Sequence, residues 1–316
     1  MNNIFSQLDL AFWITFIAAS VRTAVPILLA ALGEIFAERS GVVNINLEGQ
    51  MLFGAFVGFI VTYITGNLLI GTIVGATAGM LLALLFGWVC ISKLANQIVA
   101  GITLNILALG ITSYFFRIIF GVTTKLPHVA TYQNIKIPLL NQIPILGEIL
   151  FNNNIIVYLT IFIIVISNII IFRTTFGLKL RSVGEYPRAA ETMGVNVKKM
   201  RYIAVGICGL LAGLGGAFIS VGILGGFMEN ITQGRGFIAL AIVIFGKWNP
   251  YKALGAALIF GGAEALQVRM QVIGIQIPYQ FMLIIPYLLT AIVLIITGRK
   301  AIAPAASGIP YEREKL

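Results

Sequence analysis

Apolar residues run almost unbroken along this chain, and the few polar positions that interrupt them mark its elements. Runs such as "IIVYLTIFIIVISNIIIF" (155–172) and "MLLALLFGWVCI" (80–91) show no two-residue alternation. A stretch of about 18 or more apolar residues reads as a membrane-spanning helix. Backbone groups in lipid must find their partners inside the element, which a helix provides. The pattern predicts helices over 8–20, 23–37, 47–66, 68–91, 98–120, 154–173, 200–223, 235–247, 252–272 and 279–298. A transmembrane β-barrel would instead show segments of about ten residues that alternate in polarity. The expected fold class is therefore all-α: one polytopic membrane domain over 1–316, with about 8–10 transmembrane helices, some broken or re-entrant. The segment 235–247 is too short to cross about 30 Å of hydrocarbon unaided, so it is re-entrant or extended by its neighbours.

Composition agrees with that reading. The chain is 59% hydrophobic and only 10% charged, against about 25% charged in a soluble domain. Its net charge of +10 is explained by basic loops facing the cytoplasm. No basic stripe with interleaved aromatics is present, so nucleic acid is not an expected partner. Arg173, Lys179, Arg181, Arg188, Lys198, Lys199 and Arg201 cluster in one polar island, which places 174–199 in the cytoplasm. Residues 92–97, 246–252 and the tail 299–316 fall on the same side, and 121–153, with three prolines, falls outside. No Lys or Arg precedes Arg22, so the N-terminus is a poor match to a cleaved signal peptide and is expected outside. Arg22 itself lies within apolar sequence, where a charge costs at least about 2.5 kcal/mol. It marks a break between two helices or faces a polar cavity.

Within the spans, small residues recur every fourth position: Gly71, Gly75 and Gly79, then Gly209, Gly213 and Ala217. This spacing lets helix backbones approach closely. Cys90 and Cys208 fall inside predicted spans, so neither a disulfide framework nor a metal site is expected. His128 is the single histidine and is expected on a solvated loop, which excludes a histidine dyad. No G-x-x-x-x-G-K-S/T phosphate loop occurs, so this chain is not expected to hydrolyse ATP.

Two polar concentrations carry candidate chemistry. The first is "RSVGEYPRAAETMGVNVKKMRY" (181–202). Pro187 suits a first helical position, "RAAETM" continues with good helix formers, and Gly194 is placed to end the helix. A short surface helix of this kind can dock into a groove on a soluble partner. The second is 38–50, with Glu38, Arg39, Asn44, Asn46, Glu48 and Gln50 between two apolar runs. It is either a plain cytoplasmic turn or irregular backbone at membrane depth, which is tolerated only beside protein or a wet cavity. Gln97 and Asn105 lie near one helical face, and Glu264 and Gln267 share another. The candidate substrate pathway is Asn44, Asn46, Glu48, Gln97, Asn105, Glu264 and Gln267, because intramembrane polar groups are functional suspects.

The segment "GEYPRAAETMGVNVKKMR" resembles the cytoplasmic loop of ABC importer permeases of the ribose/branched-chain amino acid class, in Gly184, Glu185, Pro187, Ala189, Ala190, Gly194 and Val195. "ERSGVVNI" followed by "LEGQM", with Glu38, Arg39, Ser40, Gly41, Asn44, Leu47, Glu48, Gly49 and Met51, is similar to permeases of nucleoside uptake systems that use a basic-membrane-protein-type lipoprotein. The resemblance implies a coupling helix over 185–195 that contacts a separate ABC ATPase subunit through Gly184, Glu185, Pro187, Arg188, Ala189, Ala190 and Gly194. It further implies a second, related permease forming a heterodimer, an external substrate-binding lipoprotein, and a nucleoside substrate, with ribose or another simple sugar as the alternative. ATP and Mg2+ would reside on the ATPase and no cofactor in this chain, which would sit in a bacterial cytoplasmic membrane. An ion-gradient-driven transporter is the competing class and would use Glu48 and Glu264 as carboxylates in mid-span. An intramembrane enzyme would need those two carboxylates to converge.

Overall fold

The structure is a computed structural model that describes residues 10–121, 127–136, 143, 145–272 and 302–312, together with 284, 288 and 292. Among these residues the chain forms α1 (Leu10–Arg39), α2 (Leu47–Thr65), α3 (Leu68–Gly87), α4 (Gln97–Phe120), α5 (Leu146–Leu150), α6 (Ile155–Arg173), α7 (Thr175–Glu185), α8 (Pro187–Thr192), α9 (Val197–Ala217), α10 (Arg235–Phe245) and α11 (Pro250–Val272). Strands β1 (Ile135–Lys136) and β2 (Asn152–Asn153) make one short antiparallel pair. Single wide turns of π-helix, Trp88–Ser92 and Phe218–Leu224, extend α3 and α9. Apart from residues 284, 288 and 292, the expected helix over 279–298 lies outside the described residues.

Six described stretches are long and apolar enough to cross a membrane: Phe12–Arg39, Leu47–Thr65, Leu68–Ser92, Gln97–Phe120, Ile155–Arg173 and Val197–Leu224. The protein is thus an all-α polytopic membrane protein. Helix starts follow local chemistry. The side chains of Asn67, Asn96, Asn154, Thr174 and Asn196 accept hydrogen bonds from the first free backbone N–H groups of α3, α4, α6, α7 and α9. Gly66, at φ 68°, ends α2 in the left-handed region.

One expectation is corrected. The split into helices 8–20 and 23–37 does not occur, because α1 runs unbroken through Arg22 and Pro26. Proline removes one N–H and ordinarily kinks a helix. Here packing on both sides of the proline holds one axis. The hydroxyl of Thr23 donates to the carbonyl of Gly261 on α11 at 2.8 Å, and a Cβ at Gly215 of α9 would meet the Pro26 carbonyl at 2.7 Å. Residues 24–38 are all buried, which makes α1 the central post of the fold.

The glycine stripes meet as the spacing predicts. A Cβ at Gly79 would lie 2.6 Å from the Gly209 carbonyl, and one at Gly213 would lie 2.8 Å from the Gly75 carbonyl. Helices α3 and α9 therefore pack backbone to backbone. On the outer faces of α4 and α6, Ile98, Val99, Ile106, Ile161 and Phe162 are exposed, as suits contact with lipid or a membrane partner.

The contacts sort the chain into two ends. At one, Arg39 donates to the carbonyl of Trp248, Ser92 bonds Tyr202, and α7 and α8 pack beside the end of α1. At the other, Arg117 pairs with Glu229, Arg269 donates to the Phe12 carbonyl, and His128 bridges Gly226. The N-terminal end of α1 belongs with this second group, opposite the basic island.

Candidate functional site

The polar stretch 38–50 is a fold-back inside the bundle. After α1 ends, Gly41 takes φ 89° and the chain turns back along the helix it has just left. The N–H of Asn44 reaches the carboxylate of Glu34 at 2.8 Å, five residues before the end of α1. Asn44 and Gln50 exchange side-chain amide hydrogen bonds at 3.0 and 3.2 Å. Cys208 of α9 donates to Glu34 at 3.3 Å and accepts from Asn44 at 3.2 Å. Asn44, Asn46, Gln50 and Glu34 are all 0% exposed. The stretch between α1 and α2 is thus irregular backbone buried against protein rather than an exposed turn.

Helix α4 braces the fold-back. Gln97 accepts from the N–H of Val43 at 2.8 Å. Asn105 accepts from the N–H of Gly49 at 2.7 Å and donates to the carbonyl of Ile45 at 2.9 Å. The shared helical face expected of Gln97 and Asn105 is real, and it faces backbone that lacks regular partners.

Helix α10 meets α2 start to start, with one carboxylate between them. Glu48 accepts from the hydroxyl of Thr232, the N–H of Gly234 at 2.8 Å and the N–H of Gly236 at 2.7 Å. A carboxylate here satisfies donors that the first turn of a helix leaves open and complements its dipole. Gly236 is required because a Cβ there would fall on the backbone of Glu48. Arg235, beside it, pairs with Glu264 of α11. Glu48 and Glu264 thus flank one helix start, each with its own partner. Gln267 is half-buried on α11, one turn beyond Glu264. Of the seven pathway candidates, Asn46 stands apart: its side-chain nitrogen and oxygen are both buried and lack a hydrogen-bond partner among the described residues.

Arg22 faces a cavity, the second of the two alternatives. Thr15, Arg22, Thr23, Tyr132, Asn134 and Arg269 line a space of about 440 Å³ towards the end opposite the basic island. The phenol of Tyr132 sits against Thr72, and burial pushes its pKa above the usual range. At the same end, hydrogen bonds of 2.6 and 2.8 Å from Arg117 hold the Glu229 carboxyl below the ordinary carboxylate range. Cys90 and Cys208 are free and buried. His128 is exposed, with its ring 3.2 Å from the Gly225 carbonyl.

The basic island forms a helical hairpin. Helix α7 ends at Glu185, and Pro187 occupies the first position of α8. Gly194 follows at φ 81°, and the N–H of Val195 closes back onto the Ala190 carbonyl at 3.0 Å, as a helix stop requires. Ala190 is buried, whereas Tyr186 and Met193 are 71% and 84% exposed. Gly184 is fixed by close approach, since a Cβ there would fall on the carbonyl of Arg39. The hairpin is thereby pressed against the fold-back.

Two residues of this site were not singled out from the sequence. Glu34 was legible only as a member of an apolar run, though an acidic residue inside a span is itself a signal. Trp248, whose indole N–H donates to Glu38, carried no local cue. Arg201 was grouped with the basic island, but it is 2% exposed and turned onto the carbonyls of Ser40 and Ile309.

No solved structure matches the chain. It is 44% identical over 320 residues to the guanosine ABC transporter permease protein NupQ of Bacillus subtilis, covering 95% of this chain and 97% of that one. It is 36% identical over 300 residues to the nucleoside ABC transporter permease protein NupC of Lactococcus lactis, covering 92% and 94%. The putative glucose ABC transporter permease protein TsgC13 of Haloferax volcanii is 38% identical over 257 residues, covering 80% and 77%. The model of the family described as branched-chain amino acid transport system / permease component matches residues 16–297. With six apolar spans among the described residues, and that match across most of its length, the chain belongs to this family of transport permeases.

Proposed function

We propose that this protein is the permease subunit of an ABC importer that carries nucleosides across the cytoplasmic membrane, driven by a separate ATPase. The observation that carries the substrate class is the 44% identity to a guanosine permease over 95% of the chain. The α7–α8 hairpin supports the mode of driving. Its exposed Tyr186 and Met193, with Glu185 and Arg188 alongside, suit a cleft on a soluble ATPase, and Gly184, Pro187, Ala189, Ala190 and Gly194 shape the hairpin that presents them. The basic end is then cytoplasmic, as the concentration of Lys and Arg requires.

In this reading ATP and Mg2+ act on the partner. A second, related permease completes the central cavity, and an external lipoprotein delivers the nucleoside. The fold-back 40–46 and the two helix starts at Glu48 and Arg235 form the part of the wall that changes with the cycle, and the unpartnered amide of Asn46 is the group best placed to meet a substrate hydroxyl or ring nitrogen. A simple sugar is the second reading, favoured by the 38% identity to a glucose permease. Uptake of labelled guanosine and glucose by vesicles holding the complete importer separates them. Guanosine uptake that needs ATP and survives collapse of the proton gradient is the expected result. Uptake lost with the gradient would return the ion-driven class.

A further inference from the structure

Residues 302–312 return to the basic end and bind the hairpin to the fold-back. The N–H of Ala306 donates to the carbonyl of Gly184 at 2.9 Å, and that of Gly308 donates to the carbonyl of Gly41 at 3.1 Å. The N–H of Ala305 donates to the carboxylate of Glu185 at 3.2 Å, and the phenol of Tyr311 bonds Glu191 on α8. Arg201 sits inside this knot. It donates to the carbonyls of Ser40 at 3.2 Å and Ile309 at 3.0 Å, and its guanidinium lies 5.9 Å from the centre of the Tyr311 ring. Ala306 and Tyr311 are 6% and 8% exposed.

The small residues Ala305, Ala306, Ser307 and Gly308 make this approach possible. A Cβ at Gly41 would meet the Ala306 carbonyl at 3.0 Å and a guanidinium nitrogen of Arg201 at 2.9 Å. Gly184 is held between Arg39 on one side and Ala306 on the other. The start of the fold-back, the hairpin with the following start of α9, and residues 305–311 therefore share one hydrogen-bonded joint.

We propose that residues 302–312 are a strap that makes the α7–α8 hairpin and the fold-back move as one body, with Arg201 and Tyr311 as its positioning residues. Without the strap the hairpin holds the fold-back mainly through the contact of Gly184 with Arg39. With it, a displacement of α8 is passed through Glu191–Tyr311, Gly184–Ala306 and Arg201–Ser40 into residues 40–46. Two of its nitrogens are met by these carbonyls, and the other terminal nitrogen is buried without a hydrogen-bond partner among the described residues. Removing an arginine from water is costly without such partners, and the contacts that Arg201 does make join the two moving parts.

This inference rests on α8 being the contact with the ATPase, and the test separates the two. The complete importer, with its ATPase and external receptor in proteoliposomes, is assayed for co-purification of the ATPase, for ATP hydrolysis, and for substrate carried per ATP hydrolysed. Tyr311→Ala and the milder Tyr311→Phe loosen the strap at its edge, and Arg201→Gln loosens it at its centre. For Tyr311→Ala, ATPase binding and hydrolysis stay within about twofold of the parent, while substrate carried per ATP falls by about tenfold, within the usual range of a coupling between sites. Tyr311→Phe falls between the two. Should Arg201→Gln fail to assemble, the two Tyr311 variants decide the matter. An unchanged ratio in both, or equal loss of ATPase binding and transport, overturns the strap. Failure of the unaltered chain to bind an ATPase overturns the underlying reading instead.

Discussion

Asn46 is the residue whose chemistry asks most for a function. An unpaired buried amide costs about 1–3 kcal/mol, and nothing among the described residues repays it. Asn46→Ala is therefore expected to leave thermal stability equal to the parent or raised by about 1 kcal/mol, while uptake falls. A variant that is both less stable and fully active would remove Asn46 from the pathway. Gly184 makes the opposite prediction. Its Cβ would fall on the backbone of Arg39, so Gly184→Val is expected to destabilise by about 1–3 kcal/mol through overpacking, read as a lower melting temperature in detergent. Gly194→Ala meets open space and strains only its positive φ, with a cost of about 1 kcal/mol. The sequence suggested both glycines, but it could assign the helix stop only to Gly194. The demand on Gly184 comes from Arg39, 145 residues earlier in the chain.

At the scale of elements, the start of α10 depends on a residue from α2. Replacing Glu48 by Gln keeps its shape and removes the charge that two backbone N–H groups and a hydroxyl address. Hydrogen bonds to a charged group contribute about 1.5–3 kcal/mol, so Glu48→Gln is expected to lower the melting temperature and to loosen α10, read as faster amide exchange over 235–245. The pair Arg235–Glu264 is a separate attachment of the same helix. A double-mutant cycle on the two is expected to give a coupling energy of about 0.5–3 kcal/mol. Helix positions were legible because apolar length and Asn, Thr and Gly punctuation are local signals. The unbroken α1 was not, because the contacts that hold it straight at Pro26 come from α9 and α11.

The whole molecule presents a basic end and an opposite end, and the proposed transport direction depends on which is cytoplasmic. Cysteine placed at Met193, 84% exposed, is expected to react with a membrane-impermeant maleimide in inside-out vesicles and not in intact cells. Cysteine at His128 is expected to show the reverse. Labelling of both from one side would contradict the alternation of spans. The contact of Phe12 with Arg269 puts the start of α1 at the end opposite the basic island, so the same labelling also tests the external N-terminus expected from the absence of basic residues before Arg22.

The sequence alone determined what the membrane enforces. Lipid offers backbone groups no partners, so the apolar runs had to be helices, and the charges had to gather at their ends. It also placed the short helix after Pro187 and the facing glycine stripes, since both follow from spacing within a few turns. Only the tertiary structure decided what the buried polar groups do. Glu48 caps a distant helix, Gln97 and Asn105 brace a fold-back, and Arg201 ties α9 to the fold-back and to residues 302–312. In each case the partner lies tens to hundreds of residues away, and a buried polar side chain takes its role from whichever donor or acceptor the fold brings within about 3 Å.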